Sequence, residues 1–101
     1  GVVAFAKSLS QEVGRDNILV NNVCPGSILS DRMMSNVTAR ANELGMSVED
    51  ALGERAEDTA VGRLGDPKEL GNLVGFLASS KSSYITGTTI LVDGGLVQSV
   101  M

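Results

Sequence analysis

Pro25-Gly26-Ser27-Ile28-Leu29-Ser30 is the stretch of this chain best placed to meet a ligand. Proline adds no N–H to a sheet ladder and biases Cys24 toward extended backbone, and glycine lets another molecule approach bare main chain. Ser30 then offers a hydroxyl as N-cap, with Asp31 at the positive end of the helix that follows. The chemistry served by this spacing is recognition: main-chain polar groups, a hydroxyl and a helix N-terminus gather hydrogen-bonding capacity for a polar or anionic ligand. A plain strand-to-loop corner uses the same residue types, and on those types alone both readings stand.

Side chains able to break bonds are scarce. The chain has 101 residues, no histidine and a single cysteine, Cys24, which excludes disulfide frameworks, zinc sites and Ser-His or Cys-His nucleophiles within it. Met33 and Met34 form an adaptable surface that suits either an ordinary core or a lid over an apolar substrate. Asn21 interrupts an apolar strand, and structural bracing by its amide is expected. Asp93, in Asp93-Gly94-Gly95, suits accepting bonds from turn N–H groups better than acid catalysis. Arg63 reads as a solvated surface charge.

A formal charge of −4 without a run of Lys or Arg lacks the footprint of a nucleic-acid or anionic-membrane binder. Apolar residues make up 43% and charged residues 20%, the balance of one globular unit, residues 1–101. No apolar segment approaches the roughly 20 residues of a membrane span. Gly1 to Lys7 has no basic leader, so a cytoplasmic location is the expectation.

The elements that must position the candidate site follow from periodicity. Val2, Phe5 or Ala6, Leu9 and Val13 define an amphipathic helix over 1–13, with Gly14 as its left-handed stop. The helix has no N-cap residue, so its true start is expected upstream. Ile18 to Cys24 reads as a strand covered on both faces, as in a parallel sheet. Ser30 opens a second helix with Met33 or Met34, Val37, Ala41 and Leu44 on one stripe and Gly45 as its end. Ser47 caps a third helix over 48–58, weakened by Gly53, so residues 30–65 are expected to be the mobile part. Asp66-Pro67-Lys68-Glu69 is a capping box with proline at the first helical position. Behind it Leu70, Leu73, Val74 and Leu77 face a core, and Gly71 and Gly75 leave a groove for close approach. Thr88 to Val92 forms the second strand, closed by the Asp93 turn. The expected fold class is α/β, with one long crossover between parallel strands.

With those elements in place the sequence resembles the C-terminal part of the short-chain dehydrogenase/reductase family, in particular its 3-oxoacyl-[acyl-carrier-protein]-reductase-like members. The resemblance runs through Gly1-Val2-Val3-Ala4-Phe5-Ala6-Lys7-Ser8-Leu9 and Val20-Asn21-Asn22-Val23-Cys24-Pro25-Gly26. It continues in Arg63-Leu64-Gly65-Asp66-Pro67-Lys68-Glu69-Leu70, Phe76-Leu77-Ala78-Ser79 and Ile85-Thr86-Gly87-Thr88-Thr89-Ile90-Leu91-Val92-Asp93-Gly94-Gly95. Each stretch alone is weak; their order and spacing together are specific.

The resemblance implies the C-terminal portion of a Rossmann-type doubly wound parallel sheet, two parallel strands with flanking helices. It implies that Pro25, Gly26, Ser27, Ile28 and Ser30 lie along the nicotinamide half of NAD or NADP. The Ile28 backbone would meet the carboxamide, and Ser30 would hold the carboxamide or pyrophosphate where the family usually has threonine. Residues 30–65 would be the variable substrate lid, with Met33 and Met34 toward a carbonyl or alcohol substrate. The last helix and strand would belong to a two-fold interface, so a homo-oligomer is implied. The glycine-rich dinucleotide fingerprint has no counterpart here. The catalytic Tyr-x-x-x-Lys has none either: Tyr84 is the one tyrosine, residue 88 is threonine, and the family pattern puts the pair just upstream of Gly1. The expectation is therefore a fragment of an NAD(P)-dependent oxidoreductase, inactive by itself and partnered by its missing N-terminal portion. The alternative is a non-enzymatic truncated module that self-associates through its sheet edge.

Overall fold

Helix α1 (Val2–Val13) packs through its small residues rather than its large ones. Of the two alternatives for the apolar stripe, Ala6 is buried, together with Ser10, whereas Phe5 is 68% exposed. The cause is Gly87, whose φ of +72° takes the backbone so close to α1 that a Cβ there would lie 2.8 Å from Ser10 Oγ. Only the small-residue face admits a main chain at that distance. Gly14 does not take the left-handed position either. It stays right-handed at φ −60° in a 3-10 turn over Gly14–Asp16, and Asn17 at φ 62° stops the chain, its N–H bonded to the Gly14 carbonyl at 3.0 Å. Asparagine tolerates this conformation because its side chain is short and polar.

Strand β1 (Asn22–Pro25) pairs in parallel with β2 (Thr89–Val92), from Asn22 opposite Thr89 to Pro25 opposite Val92. Both strands are shorter than their apolar runs. Upstream the two segments are joined by isolated bonds, among them Val20 N–H to Thr86 Oγ1 at 3.0 Å and Gly87 N–H to the Val20 carbonyl at 2.7 Å. Asn21 explains why β2 begins at Thr89. Its Oδ1 takes the Thr88 N–H at 3.2 Å and the Thr88 hydroxyl at 2.6 Å, and its Nδ2 donates to the Ile85 carbonyl at 3.0 Å. The amide braces the entry to both strands, as its place in an apolar run requires.

The crossover carries helices α2 (Asp31–Leu44) and α3 (Val48–Glu57), capped by Ser30 and Ser47 and separated by Gly45 in the left-handed region at φ 65°. They form a hairpin with a core of its own: Val37, Ala41 and Ala51, flanked by Met33, Met46, Val48 and Leu52. Leu44 departs from the expected stripe and is 58% exposed. It lies in the last turn, where the chain swings toward α3. Helix α4 (Pro67–Leu77) begins with the complete capping box, Lys68 N–H to Asp66 Oδ1 at 2.8 Å and Asp66 N–H to Glu69 Oε1 at 3.0 Å. Val74, expected to face a core, is 49% exposed, and the positions a Cβ would occupy on Gly71 and Gly75 are open space. The close approach these glycines permit is not made by another described element.

The structure is a computed structural model that describes residues 1–96. The molecule is α/β with a two-stranded parallel sheet, and it is extended. Its radius of gyration is 16.8 Å, against about 13 Å for a compact chain of this length. Its accessible surface is 7121 Å², against about 5,400 Å² for a folded monomer of this mass. No helix among the described residues is long and apolar enough to cross a membrane.

Candidate functional site

The C-terminal end of β1 and the first two turns of α2 enclose a groove of about 390 Å³. Pro25, Gly26, Ile28 and Ser30 form one side, and Met33 overlooks it from α2. These are four of the five expected cofactor residues and one of the two expected lid methionines. Ser27 lies instead in a separate cavity of about 160 Å³, with Arg63, Glu69, Val92 and Asp93. Met34 is half-buried outside the groove, its carbonyl accepting the Thr38 hydroxyl at 2.7 Å. Residues not anticipated from the sequence complete the groove: Arg32 and Asn36 on α2, Pro67 and Leu70 on α4. The readable signal for Asn36 was its position on the same helical side as Met33. The α4 contribution has no local signal, because it depends on how the crossover returns.

The polar groups at the groove are main-chain atoms and one hydroxyl. Ile28 N–H bonds the Gly26 carbonyl at 2.9 Å, and the Ile28 carbonyl accepts the Ser30 N–H at 2.8 Å. Each bond closes a three-residue turn, whose ring bends the hydrogen bond and weakens it. Both polar atoms of Ile28 can therefore be handed to a better-aligned ligand at low cost. Ser30 Oγ accepts the Met33 N–H at 3.2 Å and keeps its own proton to donate. The segment is held from behind by Gly65, which receives the Leu29 N–H at 2.8 Å and gives its N–H to the Ser27 carbonyl at 2.9 Å. Thr59, buried on the return path, accepts the Gly62 N–H at 3.0 Å and lies 2.8 Å from the Ala56 carbonyl.

Gly26 is required for a reason the sequence did not show. A Cβ there would stand 2.4 Å from Asp93 Cβ and 2.8 Å from Asp93 Cα, so the close approach made at Gly26 is to the chain's own turn. Asp93 accepts the Gly95 N–H at 2.9 Å, as a turn residue should.

Arg63 is a solvated surface charge, its side chain 61% exposed, and it is paired. Its Nη1 and Nη2 grip Glu69 Oε1 and Oε2 at 2.7 and 3.0 Å, tying the return path to the capping box. The Arg63 hydrogen bond, with the Asp66 N–H second, lowers the Glu69 carboxyl to about 2. Because the folded-state value is depressed, the contribution of Glu69 is present at neutral pH and is lost as pH falls through about 2. A carbon-detected NMR titration should show Glu69 ionised well below pH 4, and Arg63→Met should return it toward the ordinary range; an unchanged midpoint would refute the pairing. No cluster of His, Cys, Asp and Glu among the described residues is arranged to hold a metal.

A parallel strand pair whose carboxyl end meets a helix N-terminus across a groove is an arrangement that Rossmann-type and other doubly wound α/β proteins share. The chain belongs to the short-chain dehydrogenase/reductase family. The profile of the family described as Enoyl-(Acyl carrier protein) reductase matches residues 1–97. The 3-oxoacyl-[acyl-carrier-protein] reductase FabG of Haemophilus influenzae is 42% identical over 96 residues, covering 95% of this chain and 35% of that protein. Oxidoreductase UcpA of Escherichia coli is 39% identical over 94 residues, covering 93% and 35%. Among solved structures, a short chain dehydrogenase family protein from Francisella tularensis superposes with a TM-score of 0.90 at 34% identity, over 94% of this chain and 39% of that one. L-sorbose reductase from Gluconobacter frateurii, crystallised with NADPH and L-sorbose, gives 0.89 at 32% identity, over 97% and 38%. The chain thus spans about a third of the length of these relatives.

Proposed function

We propose that this chain is the nicotinamide-side part of a longer NAD- or NADP-dependent oxidoreductase that moves a hydride between the cofactor and a carbonyl or alcohol substrate. The observation that carries this reading is the groove wall, where Ile28 presents an N–H and a carbonyl and Ser30 a hydroxyl proton beside the N-terminus of α2. A primary carboxamide has the complementary donor and acceptor, so the residues present fit that group. NAD or NADP, when bound, supplies the hydride. Pro25 and Gly26 form a wall without long side chains for the ring to lie against, and Ser30 holds the carboxamide or the nearest phosphate. Ser27 would brace the segment from its far side. The 30–65 hairpin, with its own core, serves as the substrate lid, with Met33 over the groove and Met34 reaching substrate only if α2 turns.

The proton donor comes from outside these residues. Tyr84 is fully exposed, and Thr88 follows it where a lysine would be needed. The open sheet side supports covering by further polypeptide, since the surplus accessible surface exceeds the roughly 800 Å² that a standard interface covers on each partner. The remainder of a longer enzyme fills that role in this reading, with a homo-oligomer closing through α4 and β2.

The test uses the longer protein and fluorescence titration with NADH and NADPH. Ser30→Asp preserves a strong N-cap but replaces a donor by a negative charge, and is expected to weaken cofactor binding by about 10- to 100-fold. Ser30→Thr should retain it. Unchanged affinity in Ser30→Asp would make Ser30 a cap and nothing more, and would remove the cofactor from this groove.

A further inference from the structure

The groove holds one charged side chain. Arg32 lines it, no Asp or Glu does, and the one ion pair shown among the described residues is Arg63 with Glu69. In a chain of formal charge −4, a groove of net positive charge is against the background. Asn36, one helical turn beyond Arg32 and on the same groove, adds an amide donor. The N-terminal end of α2 points the same way, with its macrodipole adding positive potential. Asp31, next to Arg32 in sequence, is not among the groove-lining residues. Apart from Ser30 and the bare backbone of Gly26, the rest of the lining is Ile28, Met33, Pro25, Pro67 and Leu70, so a ligand meets mostly apolar surface and a single cation.

Resting on the hydride-transfer reading above, we propose that Arg32, assisted by Asn36, determines specificity by binding an anionic group, a carboxylate or a phosphate, on the carbonyl substrate. The recognised class is a small oxo compound with an acidic end. Guanidinium geometry suits this, since its planar fork matches two oxygens of either anion. Along the helix Arg32 stands about 3 Å and Asn36 about 9 Å beyond Ser30, so the amide marks the far end of the anion site and the long arginine side chain can reach toward it from nearer the ring held at Ile28 and Ser30. Substrate rather than cofactor is assigned because Arg32 and Asn36 belong to the hairpin that overlooks the groove, whereas the Ile28 and Ser30 polar groups lie on its wall.

The experiment uses the longer protein and four matched pairs of carbonyl compounds: pyruvate, acetoacetate and levulinate, each with its methyl ester, and dihydroxyacetone phosphate with dihydroxyacetone. In the parent protein the anion of at least one pair is expected to have the higher kcat/KM. Arg32→Met should lower the anion-to-neutral ratio of that pair by about 10- to 100-fold, the range for losing a hydrogen bond to a charged group, with KM carrying the change. Arg32→Lys should restore part of it. NADPH affinity, read by fluorescence, should be retained in both variants. Preference for the neutral member in every pair overturns the proposal, as does a ratio unmoved by Arg32→Met, or NADPH binding without turnover of any pair. Weaker NADPH binding in Arg32→Met with an unchanged ratio would assign the arginine to cofactor phosphate instead. Absence of NADPH binding in the parent protein would be a failure of the hydride-transfer reading itself, separate from these.

Discussion

Gly26→Val is expected to destabilise the longer protein by about 3 kcal/mol, the upper end of what forcing extra carbon into a packed site costs. The first carbon added would stand 2.4 Å from Asp93 Cβ and 2.8 Å from Asp93 Cα. Backbone that close must move, and Asp93 has little room to do so. Its side chain holds the Gly95 N–H at 2.9 Å, and Gly94 and Gly95 sit at φ +61° and +83° with Ala60 packed against the latter. The control is Gly65→Ala, where the added carbon meets Ile28 Cδ1 at 2.7 Å. That atom is the end of a flexible side chain, so a rotamer change relieves the contact for about 1 kcal/mol. Urea unfolding midpoints of the two variants decide the matter. A Gly26→Val midpoint equal to that of the parent, or a larger loss in Gly65→Ala, would show that the Asp93 turn yields and that its close approach does not require glycine at position 26. The same geometry explains why Gly26 is a poor reporter of cofactor contact, since its substitution disturbs the sheet end first.

Asn21→Leu should cost about 2–4 kcal/mol, because it strips partners from three groups at once in a half-buried position. The Thr88 N–H, the Thr88 hydroxyl and the Ile85 carbonyl all bond to this amide, at 3.2, 2.6 and 3.0 Å. Asn21→Asp separates the contributions. It keeps both acceptor bonds to Thr88 but turns an oxygen toward the Ile85 carbonyl where Nδ2 donated, so it should retain part of the stability. A double-mutant cycle with Thr88→Val should give a coupling of about 1 kcal/mol, since both residues share one network. Amide hydrogen exchange at Thr88 should accelerate in Asn21→Leu. Loss of less than about 0.5 kcal/mol, within the range of an ordinary surface change, would mean that water replaces the amide and that the brace is incidental.

The parts of the fold legible in the sequence are those governed by neighbours a few residues apart. Ser30, Ser47 and the Asp66 box cap the helices anticipated for them, Gly45 ends α2, and Asp93 takes the N–H of its own turn. A hydroxyl or carboxylate next to an orphan N–H satisfies it whatever the rest of the chain does. The departures from local pattern share a different cause. Period leaves Phe5 and Ala6 both open for the buried stripe, and Gly87, approaching across the Ala6 and Ser10 side, decides for Ala6. Gly14 has the composition of a left-handed stop, yet the chain runs on to Asn17. Each outcome depends on a segment distant in sequence, or on where a turn must aim the strand that follows.

The candidate site divides in the same way. Residue types and order alone determined that a strand would run into a proline-glycine corner and a serine-capped helix, because backbone stereochemistry and capping act locally. Only the tertiary structure decided which side chains share the groove. It put Ser27 in a second cavity, made Arg32 and Asn36 part of the groove lining, and used Gly26 for Asp93, because side-chain direction and close approach are settled by the packing of elements separated along the chain.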